Sequence, residues 1–187
     1  RSPLSPNALT LLAFLLNLAA AALFAAARFR PILFMVAIPV ITIGGLLDAF
    51  DGIVAREQNK ASRFGDFLDH LLDRASDLAL LAGWLIGARM RLEFAIPLLI
   101  LVALNGYAGT QIEATFGSRS YQGVGRGEFV LALVAIPTLT YVIVAAGADS
   151  FRIAMISLTE ALAVLLALGA LAGIAQRLRL ARSLDRD

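Results

Sequence analysis

Four aspartates carry the chemistry that this sequence can do. Asp48 and Asp51 stand three residues apart, and Asp69 and Asp73 four apart, within the stretch DAFDGIVAREQNKASRFGDFLDHLLD. On a helix, spacings of three and four put both members of a pair on one face. Both pairs adjoin long apolar runs. A carboxylate inside a membrane helix is costly and normally faces a bundle interior or cavity, paired with something. Four carboxylates crowded together repel, and one or more takes up a proton unless cations intervene. Hard divalent cations prefer oxygen ligands, and Mg²⁺ typically combines a few carboxylates with substrate phosphates. Two carboxylates from each of two antiparallel helix ends could clamp such ions, which would neutralise a diphosphate and stabilise its leaving oxygen. The neighbouring residues suit an anionic ligand. Gly52 and Ala55 lie one turn beyond Asp48 and Asp51 and keep that face low, so that a flat base or a phosphate can approach the backbone. Arg56, at the helix end, offers phosphate a bidentate fork. The competing structural reading is a salt-bridge network with Arg56, Arg63 and Arg74.

The elements that must hold these residues are membrane helices. The chain has 187 residues, 59% of them hydrophobic and 16% charged, with a mean hydropathy of +0.81. Soluble domains average roughly 45–50% apolar and about 25% charged residues. Several apolar runs reach the length of about 20 residues that a bilayer-crossing helix needs. The expected fold is therefore all-α: a polytopic membrane protein with six transmembrane helices, forming one domain over residues 1–187. The six spans read as 8–27, 32–56, 64–88, 94–114, 129–146 and 153–175. Ser5-Pro6-Asn7 is a helix-start signal for the first, with Ser5 or Asn7 as its cap. A polar linker, 57–63, separates spans two and three, and a glycine-rich loop, 115–127, separates spans four and five. The chain opens at Arg1 with no initiator methionine or signal peptide, which reads as reset numbering or as a piece of a longer polypeptide. With no cysteine there are no disulfides, thiolate nucleophiles or thiolate metal sites. The net charge of +2 is too small to suggest nucleic-acid binding. Basic residues divide unevenly between alternate loops. Arg1, Arg56, Lys60, Arg63, Arg119, Arg126, Arg177, Arg179, Arg182 and Arg186 fall on one side, and Arg28, Arg30, Arg89, Arg91 and Arg152 on the other. That asymmetry places both termini and the 57–63 linker in the cytoplasm.

The aspartate stretch resembles the CDP-alcohol phosphotransferase signature, D-x2-D-G-x2-A-R-x8-G-x3-D-x3-D. Asp48, Asp51, Gly52, Ala55, Arg56, Gly65, Asp69 and Asp73 match every defined position with the spacing intact. The signature covers 26 residues, the six-span layout extends the similarity over most of the chain, and the opening SPN-x2-T, Ser5 to Thr10, resembles the family's start of span one. The family's usual amphipathic helix before that span is missing, which fits a truncated or excised domain, for example one fused to a cytidylyltransferase. The resemblance implies that Asp48, Asp51, Asp69 and Asp73 hold Mg²⁺ or Mn²⁺, two ions being the expectation. Asp73 would also accept the proton of the attacking hydroxyl. Thr10, Gly52, Ala55, Arg56 and Gly65 would serve the CDP part, with Gly65 giving close helix contact; Asp66, outside the signature at the membrane edge near the ions, reads as a further nucleotide contact. The products would be CMP and a new phosphodiester, made at the cytoplasmic face of the cell membrane from a donor of the CDP-diacylglycerol, CDP-archaeol or CDP-inositol type. The resemblance also suggests a homodimer.

Three arginines bear on the acceptor. Arg119, Arg126 and Arg177 lie on the expected active-site side, and arginine clusters are favoured where phosphate must be held in a fixed geometry. GVGRGE together with Arg177 resembles the acceptor pocket of the inositol-phosphate-using members, so the acceptor leans to inositol phosphate, against a reading as ordinary positive-inside charge. Other polar residues read as structural: His70 points away from the Asp69/Asp73 face, Asp77 partners Arg74, and Glu113, Glu128 and Glu160 pair with nearby arginines. Asn17, Asn105 and Gln111 read as hydrogen-bonding between helices. Two other classes compete. A membrane prenyltransferase also places Mg²⁺ and diphosphate on aspartates, but it leaves the Gly-x2-Ala-Arg element unexplained. A cation transporter would carry its acids near the membrane midplane.

Overall fold

The computed structural model describes residues 5–57, 62–117, 126–153 and 155–186. Among these residues six α-helices follow one another: α1 (Pro6–Ala26), α2 (Leu33–Glu57), α3 (Arg63–Gly87), α4 (Leu92–Phe116), α5 (Arg126–Ala145) and α6 (Leu158–Leu184). The chain divides into two compact units, Arg1–Ala88 and Arg89–Asp187. Among the described residues four helices, α1, α2 (as Leu33–Val54), α4 and α6, are long and apolar enough to cross a membrane, as a multi-pass membrane protein requires. α3 carries Asp66, Asp69, Asp73 and Asp77, and within the described part of α5 the stretch Ala132–Ala145 is apolar. Leu11, Leu15, Ile43, Leu46, Ile96, Ile100, Leu165 and Leu168 are exposed, as lipid-facing residues would be.

The all-α expectation has one exception. Two-residue strands, β1 (Arg152–Ile153) and β2 (Ile156–Ser157), pair antiparallel between α5 and α6. The sixth helix therefore begins at Leu158 and not at 153. Its start is set by a capping box: the Ser157 hydroxyl accepts from the Glu160 N–H at 3.3 Å, and Glu160 Oε2 accepts from the Ser157 N–H at 2.8 Å. This reciprocal pattern satisfies two otherwise orphaned donors. In the sequence it is hidden inside the apolar run ISLTEALA. The first helix starts as expected, with Ser5 as cap and Pro6 in the first turn.

In the first unit α1 packs on both α2 and α3. Its core is Leu9, Ala13, Ala20, Phe24, Phe34, Ala37, Leu80 and Trp84, and the Phe24 and Phe34 rings meet with centroids 5.8 Å apart. Between membrane helices small residues permit the close approach on which packing depends. Gly83 and Gly87 supply it here: a Cβ at Gly83 would fall on the Ala21 carbonyl, and one at Gly87 on the Phe24 carbonyl. These contacts hold α3, with its aspartates, against α1.

In the second unit α4 packs against α6, and the two run parallel, since Arg91 at the start of α4 meets Glu160 in the first turn of α6 and Asn105 meets Arg177 further along both. Arg91 donates through Nε to Glu160 Oε1 at 2.5 Å and through Nη2 to Oε2 at 3.1 Å, and its Nη2 also reaches the Met155 carbonyl at 3.2 Å. Glu160 is buried, and the hydrogen bond to it raises the Arg91 guanidinium above its ordinary pKa. Thr159 joins the same end, its hydroxyl donating to Asp149 Oδ1 at 2.6 Å.

The packing predicts opposite outcomes at two glycines. Gly83→Val forces α1 and α3 apart and should destabilise the protein by roughly 1–3 kcal/mol or more, the usual cost of overpacking. Gly45→Ala, at a position where a Cβ meets nothing within 4 Å, should be neutral or stabilise by roughly 0.5–1 kcal/mol. Thermal unfolding of the detergent-solubilised variants, followed by circular dichroism, measures both.

Candidate metal centre

Asp48 of α2 comes close to Asp69 and Asp73 of α3. The start of α3 is fixed by Ser62, whose hydroxyl accepts from the Gly65 N–H at 3.0 Å. A Cβ at Gly65 would stand 3.2 Å from the Ser62 hydroxyl and 3.4 Å from Asn7 Oδ1, so glycine there lets α3 begin close to the start of α1. From that origin, Asp69 and Asp73 lie one turn apart on α3. Their carboxylates meet that of Asp48 from α2: one oxygen from each of Asp48, Asp69 and Asp73 lies within 4.8 Å of the others, all three half-buried. Two oxygens bound to one Mg²⁺ at roughly 2.0–2.1 Å can be at most about 4.2 Å apart. The observed separation is close to that limit, so the donor set fits a hard divalent cation.

Asp51 stands one turn along α2 from Asp48, and Ala55 and Arg56 follow it in the same helix; the side chains of these three lie outside the described residues. Gly52 leaves its face of α2 open, with nothing within 4 Å of an added Cβ, which suits the close approach of a flat or anionic ligand. Thr10 is buried on α1 and donates from its hydroxyl to the Pro6 carbonyl at 3.1 Å. It lines a small cavity with Ala13, Phe14, Asn17, Asp48, Leu72, Asp73 and Ser76. Thr10 and two of the aspartates thus share one cavity wall.

Asn17 and Ser76 belong to that wall, and the sequence reading did not place them there. Ser76 follows Asp69 and Asp73 at helical spacing, seven and three residues on, and Asn17 follows Thr10 by seven. The periodicity was available as a signal, but neither residue type announces chemistry. Asn17 also lies against α2, where a Cβ on Gly44 would come within 2.8 Å of its Oδ1. Asp66 is off the cluster, 3.9 Å from His70 Nε2 on the same helix. Arg74 pairs with Asp77 at 3.0 Å, as the spacing predicts.

In the second unit Arg177 of α6 donates to Asn105 of α4, the interhelical bond expected of that asparagine. Gln111 instead donates within its own helix, to the Thr115 hydroxyl at 3.1 Å, a partner one turn on that helical spacing brings within reach. Arg119 lies outside the described residues, as does the side chain of Arg126, the first residue of α5.

The model of the CDP-alcohol phosphatidyltransferase family matches residues 4–174. Among curated proteins, the archaetidylinositol phosphate synthase of Pyrococcus horikoshii is 31% identical over 131 residues, 70% of this chain and 67% of that one. A bifunctional IPC transferase and DIPP synthase of Rubrobacter xylanophilus is 31% identical over 169 residues, 89% of this chain and 38% of that one, so this chain spans well under half of that relative. Among solved structures, the phosphatidylinositol phosphate synthase of Mycobacterium tuberculosis in complex with manganese and citrate is 27% identical, with a TM-score of 0.68 over 95% of this chain and 82% of that one.

The cluster makes a differential prediction. Asp69→Asn should weaken Mn²⁺ binding by roughly tenfold at least, since even the loss of a supporting residue around a metal costs roughly 10–100-fold. Asp66→Asn, off the cluster, should leave Mn²⁺ affinity unchanged. Isothermal titration of the purified variants distinguishes the two; equal losses would remove Asp69 from the ligand set.

Proposed function

Because the chain belongs to the CDP-alcohol phosphatidyltransferase family, we propose that it transfers a phosphoalcohol group from a CDP-alcohol to a hydroxyl of inositol phosphate and releases CMP. The observation that carries this reading is the convergence of Asp48, Asp69 and Asp73 from two helices onto one point. Asp48, Asp69 and Asp73, with Asp51 one turn along α2, would hold divalent metal, Mg²⁺ or Mn²⁺, with two ions as the expectation. When bound, the metal supplies positive charge that offsets the diphosphate and its leaving oxygen. Manganese in the mycobacterial relative supports that choice of ion.

The chain's own residues do the rest. Gly52 and Ala55 let the cytidine and diphosphate lie close to α2, and Arg56 grips phosphate oxygens. Thr10, Gly65 and Asp66 border the nucleotide. The acceptor oxygen attacks the phosphorus that carries the donor alcohol. Its proton passes to a carboxylate oxygen of Asp73, the bond to the CMP oxygen breaks, and CMP leaves with the electron pair. Arg119, Arg126 and Arg177 hold the phosphate of the acceptor. The inositol-phosphate preference is supported by the likeness to the Pyrococcus archaetidylinositol phosphate synthase and the Mycobacterium phosphatidylinositol phosphate synthase. CDP-diacylglycerol, CDP-archaeol and CDP-inositol are the donors to compare.

All six helices span the bilayer in this reading. Ten basic residues on one set of loops and five on the other put both termini and the metal centre at the cytoplasmic face. The working form is a homodimer.

The decisive assay measures CMP release by purified protein from the three CDP-linked donors, with inositol phosphate, inositol, serine and glycerol phosphate as acceptors. Turnover should need a divalent ion and favour inositol phosphate. Asp73→Asn should lose roughly 10²–10⁴-fold in kcat, the usual share of a positioned base, with donor affinity little changed. Preference for an uncharged alcohol would refute the acceptor assignment, and full turnover in EDTA would refute the metal.

A further inference from the structure

The side of α6 that is turned away from α4 changes its chemistry along its length. Leu168, Leu171, Ala175, Arg179, Arg182 and Arg186 follow one another in steps of three or four residues, the spacing of one helix face. All six are exposed. Arg186 lies in the turn that closes the helix, its N–H donating to the Ser183 carbonyl at 3.2 Å. The buried residues of the helix, among them Ala163, Ala170 and Gly173, fall on the other side, where Gly173 and Arg177 meet Asn105 of α4. Arg177 therefore faces the neighbouring helix, whereas Arg179, Arg182 and Arg186 continue a row of lipid-facing residues.

The change falls where the bilayer core ends. From its Ser157 cap α6 runs for 27 residues, about 40 Å at a rise of about 1.5 Å per residue, against roughly 30 Å for a hydrocarbon core. Arg179 stands 21 residues beyond Leu158, about 32 Å along the axis, and Arg182 stands about 36 Å along it. With the capped end at one edge of the core, both reach the headgroup layer at the other. Among the described residues the side chains of Arg179, Arg182 and Arg186 have no ion-pair or hydrogen-bond partner. Asp185, the C-cap residue, is exposed beside them and pairs with none of the three.

We propose that this arginine row binds the headgroup phosphates of anionic phospholipids in the membrane around the protein. It rests on α6 crossing the bilayer and is independent of the reaction. A guanidinium holds phosphate oxygens through paired N–H donors, and long basic side chains near a helix end extend into the headgroup layer. Each basic residue near a membrane surface adds roughly fivefold to the attraction for anionic lipid. Charge that only set the orientation of the chain could stand anywhere around the end of the helix. Here three arginines are confined to the side that meets lipid, directly beyond the leucines that meet the acyl chains.

Fluorescence quenching beside the row tests this on the full chain in vesicles. Leu178 is exposed and adjoins Arg179, so Leu178→Trp supplies a local reporter, and the chain with its buried Trp84 alone gives the background. The protein is reconstituted in phosphatidylcholine vesicles that contain either brominated phosphatidylglycerol or brominated phosphatidylcholine, and quenching reads which lipid occupies the site. The anionic lipid should be favoured by roughly fivefold or more, and the preference should shrink as ionic strength rises. Arg179→Gln, Arg182→Gln and Arg186→Gln together should reduce the preference to about one, while lysine at all three positions should preserve most of it. Should the triple glutamine variant fail to fold, Arg182→Gln alone should lower the preference by roughly two- to fivefold. Millimolar inorganic phosphate should leave the quenching unchanged. Equal quenching by the two lipids with the arginines in place, or a preference that survives the glutamine substitutions, would overturn the proposal. Loss of the preference to inorganic phosphate would overturn it too, and would mark a site for a soluble anion.

Discussion

Asp48, Asp69 and Asp73 are brought together on two helices of a membrane protein, and their mutual repulsion is the constraint that the first unit must meet. Like charges this close repel, and an apolar surround makes the cost larger. The helices that carry them are held by contacts that do not depend on the charges. Gly83 and Gly87 press α3 onto α1, and Ser62 with Gly65 fixes where α3 begins. The scaffold therefore keeps the carboxylates converged, and a hard cation with a diphosphate is the chemistry that relieves them.

The same device, close backbone approach at small residues, recurs in the second unit with a polar purpose. Gly109 and Gly173 bed the side chains of Arg177 and Asn105, and Arg91 with Glu160 ties the opposite end of α4 to α6. Lipid offers no hydrophobic drive for helices to associate, so packing at small residues and interhelical hydrogen bonds carry the association. Spacing the two polar contacts along parallel helices fixes the register of Arg177 relative to α4.

The convergence of the carboxylates was legible in the sequence because carboxylates in apolar runs are costly enough to require a reason, and helical spacing says which of them share a face. Asp48, Asp69 and Asp73 were placed together on that ground alone. The helix order was legible from apolar runs and loop polarity. The start of α6 was not, because the capping serine and glutamate sit inside an apolar run, and a two-residue hairpin leaves no periodic trace. Asn17 and Ser76 were missed as cavity-lining residues because only their position beside the aspartates distinguishes them from ordinary interhelical polar groups. The direction of Gln111 was misread for a related reason: sequence shows that an amide in a membrane helix needs a partner, but not whether the nearest one is across the interface or one turn away.

Crystals of the protein grown with Mn²⁺ and diffracted at a wavelength with manganese anomalous signal provide the most direct test. An anomalous peak in direct bonding contact with carboxylate oxygens of Asp48, Asp69 and Asp73, and lost in Asp69→Asn, is the expected result. Carboxylates paired instead with arginine side chains, with no manganese peak among them at saturating Mn²⁺, would contradict the metal centre and return the aspartates to a structural salt-bridge network.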